Sequence, residues 1–151
     1  MFPPGLITAV DHVGVAVADL DEAIAFYRAG FGFEVVHREV NVDQGVREAM
    51  LAVGSGDVRL QLLAPLGPDS AIARFLDRSG PGVQQVAYRV TDITAAMAAV
   101  RSNGMRLLYD EPRRGTADSR INFIHPKDAG GVLVELVQPV EPAQPVEPAR
   151  S

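Results

Sequence analysis

The sequence predicts an α+β fold in which paired βαβββ modules form one curled sheet around a cleft able to bind a metal. Two observations carry this. The chain repeats itself: an alternating apolar strand, an aspartate, a short turn and an amphipathic helix occupy Asp11–Tyr27 and again Val83–Val100, with Asp19 and Asp92 standing 73 residues apart. Polar side chains also interrupt the apolar strands at matching places. The same offset sets His12 against Gln85, and an offset of 74 sets Gln61 against Glu135. A one-residue loop insertion accounts for the drift. A polar group in the middle of an apolar strand is costly to bury unless it is partnered, so its recurrence in both copies points to a shared purpose.

The elements follow in order. Residues 8–17 alternate around Val10, Val13, Val15 and Val17 and predict a strand. Asp19 or Asp21 caps the helix that follows. Its core contacts are assigned to Ile24, Phe26 and Tyr27, and its end to Gly30 and Gly32. Strands are expected over 33–39, 46–53 and 58–63, completing a first module at 8–63. Residues 64–82 form a bridge containing a short helix begun by Asp69 or Ser70. The second module, 83–138, repeats the order: a strand at 83–90, a helix at 93–103 stopped by Gly104, and strands near 105–110, 119–124 and 131–138. One domain thus spans 1–140. Beyond it the tail reads QPVEPA twice, and such regular proline cannot donate ladder hydrogen bonds, so 141–151 is expected to be extended and flexible.

Composition bounds the function. The 151 residues are 47% hydrophobic, enough for an ordinary core. The formal net charge of −5 argues against a nucleic-acid surface, which needs clustered positive charge. No apolar run approaches the roughly 20 residues of a membrane span, and the N-terminal residues lack a secretory pattern, so a cytoplasmic location is expected. With no cysteine, any metal must be held by histidine, carboxylate or amide oxygen. Arg113, Arg114, Arg120 and Lys127 put four cations within fifteen residues of an acidic chain, a patch suited to a small anion or simply a solvated loop.

The segments DHVGVAV at Asp11–Val17, NVDQGVREAM at Asn41–Met50, LLYDEP at Leu107–Pro112, RINFIHPK at Arg120–Lys127 and GVLVEL at Gly131–Leu136 resemble the vicinal oxygen chelate superfamily, and within it the methylmalonyl-CoA epimerases. The resemblance covers nearly the whole chain to about residue 138. It implies a divalent metal held by His12, Gln61, Gln85 and Glu135, a mixed N/O set suited to Co²⁺ first and to Mn²⁺, Ni²⁺ or Mg²⁺ as alternatives. It also implies an acyl-CoA thioester substrate and a homodimer, with no nucleic-acid or membrane partner. The reaction implied is exchange of the C2 proton between the (2R) and (2S) forms through an enolate, with Glu48 as one acid/base and Glu135 as the other. Arg113, Arg114, Arg120, His125 and Lys127 are the implied contacts for the substrate carboxylate or the coenzyme A phosphates.

One departure stands out. Where that family usually reads GIHHIAF, this chain reads GVQQVAY at Gly82–Tyr88, replacing a ligand histidine by Gln85. An amide oxygen is a poorer donor to late first-row metals, so weak retention of Ni²⁺ or Zn²⁺ is expected. A second reading has Gln85 only hydrogen-bonding across the cleft. Functional alternatives are a glyoxalase-like isomerase and a non-catalytic, drug-sequestering ligand module; an extradiol dioxygenase wants two histidines where only His12 is placed.

Overall fold

A computed structural model describes residues 1–140 of the chain. Strands β1 (Ile7–Ala16), β2 (Glu34–Asn41), β3 (Val46–Ala52), β4 (Arg59–Pro65), β5 (Gly82–Val90), β6 (Arg113–Arg114), β7 (Arg120–Ile124) and β8 (Val134–Gln138) form a single eight-stranded sheet. Its order is β2-β3-β4-β1-β5-β8-β7-β6. β1 runs parallel to β4, and β5 runs parallel to β8. The two halves meet where β1 and β5 pair antiparallel. Each half has the same internal order, so the repeat read from the sequence is a repeat of topology. The expected tail at 141–151 lies outside the described residues.

Three helices, α1 (Leu20–Phe31), α2 (Ala71–Ser79) and α3 (Ile93–Ser102), complete the fold. Asp19 begins α1, its carboxylate accepting from the Glu22 N–H at 2.9 Å. Gly32 ends it in the left-handed conformation, φ 72°, that favours glycine there. Gly30 lies inside the helix rather than at its end. Phe26, assigned by pattern to the core, is 62% exposed; Ile24 is buried. Of the two candidate caps for α2, Ser70 is used, accepting from the Ala73 N–H.

Side-chain alternation divides the sheet into two faces. On the convex side Val15, Ala49, Leu51 and Leu62 pack against Leu20 and Ile24 of α1. In the second half Val90, Ile124, Val134 and Leu136 meet Ile93, Ala96, Met97 and Val100 of α3. On the concave side the alternate residues Glu48, Gln61, Gln85 and Glu135 line a cleft. Leu136 is fully buried, so Leu136→Ala is expected to cost about 2–5 kcal/mol of stability, read as a lowered urea midpoint at unchanged slope.

The strand expected near 105–110 does not form. Leu107 makes one isolated bridge to Ile124, and the Tyr109 N–H and C=O are taken by the Asn122 side-chain amide at 3.2 and 2.9 Å. A side chain thus replaces the ladder there. Strand pairing resumes only after Pro112, as the two-residue β6. Among the described residues no helix is long and apolar enough to cross a membrane.

Candidate metal and proton-transfer site

The register of the sheet gathers the four polar side chains. On β1, Gly14 pairs with Gln61 of β4 and Gln85 of β5; on β5, Ala87 pairs with His12 of β1 and Glu135 of β8. Each central strand therefore places a small residue between two polar ones. Two of the three register shifts in the β1–β5 pairing adjust the aim. The β1–β5 pairing skips Asp11 and Gln84, which are themselves 73 residues apart. At the second of these, Gln84 and Gln85, although consecutive, both line the cleft.

His12 is 1% exposed. Its Nδ1 lies 2.7 Å from Asp11 Oδ2, and Asp11 is held in turn by the Arg89 Nε at 2.8 Å. Its Nε2 stands 3.3 Å from Glu135 Oε2, out of hydrogen-bond geometry, and is a buried nitrogen with no hydrogen-bond partner among the described residues. Burial is the largest single influence on this ring and acts to lower its pKa. The hydrogen bond to Asp11 and the nearby negative charges of Glu135 and Asp11 together outweigh it and bring the ring to about 9. Gln85 Nε2 donates to Gln61 Oε1 at 3.2 Å and to Glu135 Oε2. Gln61 Nε2 donates to Glu48 Oε2 at 3.1 Å and to Thr116 Oγ1 at 2.9 Å.

These residues fit a divalent cation. The converging donor atoms are His12 Nε2, Gln61 Oε1 and Glu135 Oε2, a hard-to-borderline N/O shell; Gln85 turns its Nε2 toward the two oxygens and would join the set through its oxygen with the amide turned over. Asp11 behind the imidazole is the carboxylate–histidine arrangement that orients metal ligands and raises their basicity. With two of the four side chains amides, the described residues contain no group of three or more His, Cys, Asp or Glu that could hold a metal ion. Asp11→Asn is expected to weaken Co²⁺ binding about 10- to 100-fold, measured by titration calorimetry.

Glu48 is 3% exposed on β3, the opposite wall of the cleft from β8. Burial raises its carboxyl to about 7, against the lowering effect of the Thr116 hydrogen bond and with added repulsion from Glu39 and Glu135. A carboxyl in this range both accepts and releases a proton near neutrality. In the second half, strand register puts Ile121 at the place corresponding to Glu48, so the duplicated scaffold carries this acid once.

Thr116 was not legible in the sequence. Its hydroxyl donates to Glu48 Oε1 at 2.5 Å, from a short 3-10 turn, Thr116–Asp118, in which Ala117 and Asp118 take φ of 53° and 60°. Such conformations cost non-glycine residues energy and persist where surroundings enforce them. Here Glu39 Oε1 accepts from the Ala117 N–H at 2.5 Å, and the Arg114 Nε donates to Asp118 at 2.6 Å. No local motif announces a threonine fixed by contacts from β2 and β6.

The expected substrate-binding set is divided. Arg113 and Arg114 form β6, next to the cleft residues Gly115 and Thr116, and Arg120 pairs with Arg114. Arg113 lies over the Tyr109 ring, 4.4 Å from its centroid. His125 and Lys127 sit at the other end of β7, where the His125 Nδ1 accepts from the Lys127 N–H. None of the five lines the cleft itself. The five-residue length of β7 separates two groups that the sequence alone placed in one patch.

The family model for the Glyoxalase/Bleomycin resistance protein/Dioxygenase superfamily matches residues 11–123. The chain is similar to the crystal structure of methylmalonyl-CoA epimerase from Mycobacterium tuberculosis, with 57% identity, a TM-score of 0.89, and coverage of 93% of this chain and 94% of that one. It is also similar to a methylmalonyl-CoA epimerase in complex with methylmalonyl-CoA and NH4+, with 51% identity, a TM-score of 0.84, and coverage of 89% and 96%. Among curated proteins, the ethylmalonyl-CoA/methylmalonyl-CoA epimerase of Cereibacter sphaeroides is 38% identical over 135 residues, 88% of this chain and 99% of that protein.

Proposed function

From the premise that this chain belongs to the Glyoxalase/Bleomycin resistance protein/Dioxygenase superfamily, we propose that it is an isomerase interconverting (2R)- and (2S)-methylmalonyl-CoA. The observation that carries the reading is the facing pair Glu48 and Glu135, buried on opposite walls of one cleft, with His12, Gln61 and Gln85 gathered beside Glu135. Similarity at 57% identity to an epimerase over nearly the whole chain supports it.

His12 Nε2, Gln61 Oε1 and Glu135 would hold the metal, with Gln85 as the fourth member of the set, and Co²⁺ is the ion we expect. Such a cation supplies positive charge that stabilises the thioester oxygen as the acidic C2 proton leaves. The chain's own groups do the rest. Glu48 takes the C2 proton on one face, the C–H electron pair passing into the thioester carbonyl to give an enolate. Glu135, protonated at the start of this direction, gives its proton to the opposite face of C2 and is left as the carboxylate, while Glu48 ends protonated; in the reverse direction Glu135 takes the C2 proton and Glu48 returns one. Gln61 links the two functions, since its Nε2 is held by Glu48 and Thr116 while its oxygen faces the metal set. Thr116 holds Glu48 in line. Arg113 and Arg114, which precede the cleft residues Gly115 and Thr116, and Arg120, paired with Arg114, are the proposed contacts for the coenzyme A phosphates. A homodimer forms part of the same reading.

Proton NMR of methylmalonyl-CoA in heavy water tests it. Co²⁺-loaded protein is expected to exchange the C2 hydrogen, and metal-stripped protein to do so far more slowly. Absence of exchange in both would favour a ligand-binding module of the same fold.

A further inference from the structure

We propose that Gly14 is a positioning residue for Gln85, its missing Cβ being the space in which the Gln85 side chain lies over β1 as it brings its amide to Gln61 and Glu135. Gly14 is buried on β1, two residues beyond His12, and its register partners are Gln61 and Gln85. Its backbone is not among those with positive φ, so no turn geometry demands glycine. Glycine inside a strand weakens it relative to alanine. What the residue supplies is therefore room.

A Cβ on Gly14 would fall 2.6 Å from Gln85 Cγ and 3.1 Å from Gln85 Cδ, with Leu63 Cδ1 at 3.2 Å. The first two atoms belong to the stem whose amide bridges Gln61 and Glu135. The first of these distances is shorter than carbon atoms tolerate, so the stem would have to leave its path. The other half of the repeat provides the contrast. Ala87 stands 73 residues from Gly14, is fully buried, and faces His12 across the β1–β5 pair. A methyl is accommodated beside the imidazole, whereas the glutamine stem lies over the strand where a methyl would be.

The role toward a metal rests on the proposed function; the crossing itself does not. The test uses the full chain with Gly14→Ala, Gln85→Ala and the double variant, by thermal unfolding after dialysis against EDTA and by Co²⁺ titration calorimetry. With Gln85 present, Gly14→Ala is expected to lower the melting temperature by on the order of 5 °C. In the Gln85→Ala background the same change is expected to leave it unchanged or raise it. Co²⁺ affinity should fall about 10- to 100-fold on Gly14→Ala only when Gln85 is present. Equal losses in both backgrounds, or an affinity that Gly14→Ala leaves unchanged in both, would overturn the proposal. If the unaltered protein binds no Co²⁺, the metal reading fails, and the sign reversal in the melting cycle alone decides whether Gly14 makes room for Gln85.

Discussion

Glu48→Gln is expected to slow epimerisation by about 10²- to 10⁴-fold, the range that general acid–base groups contribute, while the protein stays folded. The amide keeps the shape of the side chain and can still meet the Thr116 hydroxyl and the Gln61 amide that now bond Glu48. It also removes a carboxylate repelled by Glu39 and Glu135, so the melting temperature should hold or rise. Separating activity from stability in this way marks Glu48 as a group that moves a proton. The measurement is the rate of C2 hydrogen exchange into heavy water from each epimer. Exchange within a few-fold of the unaltered protein from both epimers would remove Glu48 from the reaction.

Glu135→Gln is expected to be equally damaging by a different route. Glu135 is the only carboxylate among the four convergent side chains, and it faces the His12 Nε2 at 3.3 Å. Its amide would leave one imidazole and three amides, a set with no negative charge to offset a divalent cation. Co²⁺ affinity should therefore fall by more than the roughly 10- to 100-fold that a supporting residue contributes, and C2 exchange should fall with it. Calorimetry with Co²⁺ reads the first and NMR exchange the second. A variant that keeps its Co²⁺ affinity but loses exchange would confine Glu135 to proton transfer; one that keeps both would exclude it from the site.

The two faces of the sheet explain why much of this was readable in advance. Gln61 and Glu135 each stand between apolar neighbours, and the repeat that pairs them also sets His12 against Gln85, so these four positions are visible without any knowledge of contacts, whereas Glu48, beside Arg47, is singled out only by the family resemblance. The same locality misled in places. Phe26 fits the apolar pattern of α1 yet is largely exposed, because the periodicity does not say how wide the covered face of a helix is. The run at 105–110 looks like a strand, but its Tyr109 backbone is satisfied by the Asn122 side chain, a non-local bond that competes with the ladder. His125 and Lys127 are close in sequence to Arg120, yet a strand at about 3.3 Å per residue carries them to the far end of β7.

The sequence by itself determined the duplication, the α+β order of elements and the four polar positions, since these depend on periodicity and on the offset between the two copies. Tertiary structure alone decided that Asp11 backs His12, that Thr116 holds Glu48, and that Gly14 and Ala87 each lie between two of the four. The reason is physical: these relations are made across strands by register and bulges, and register is set by which faces are buried together when the sheet curls.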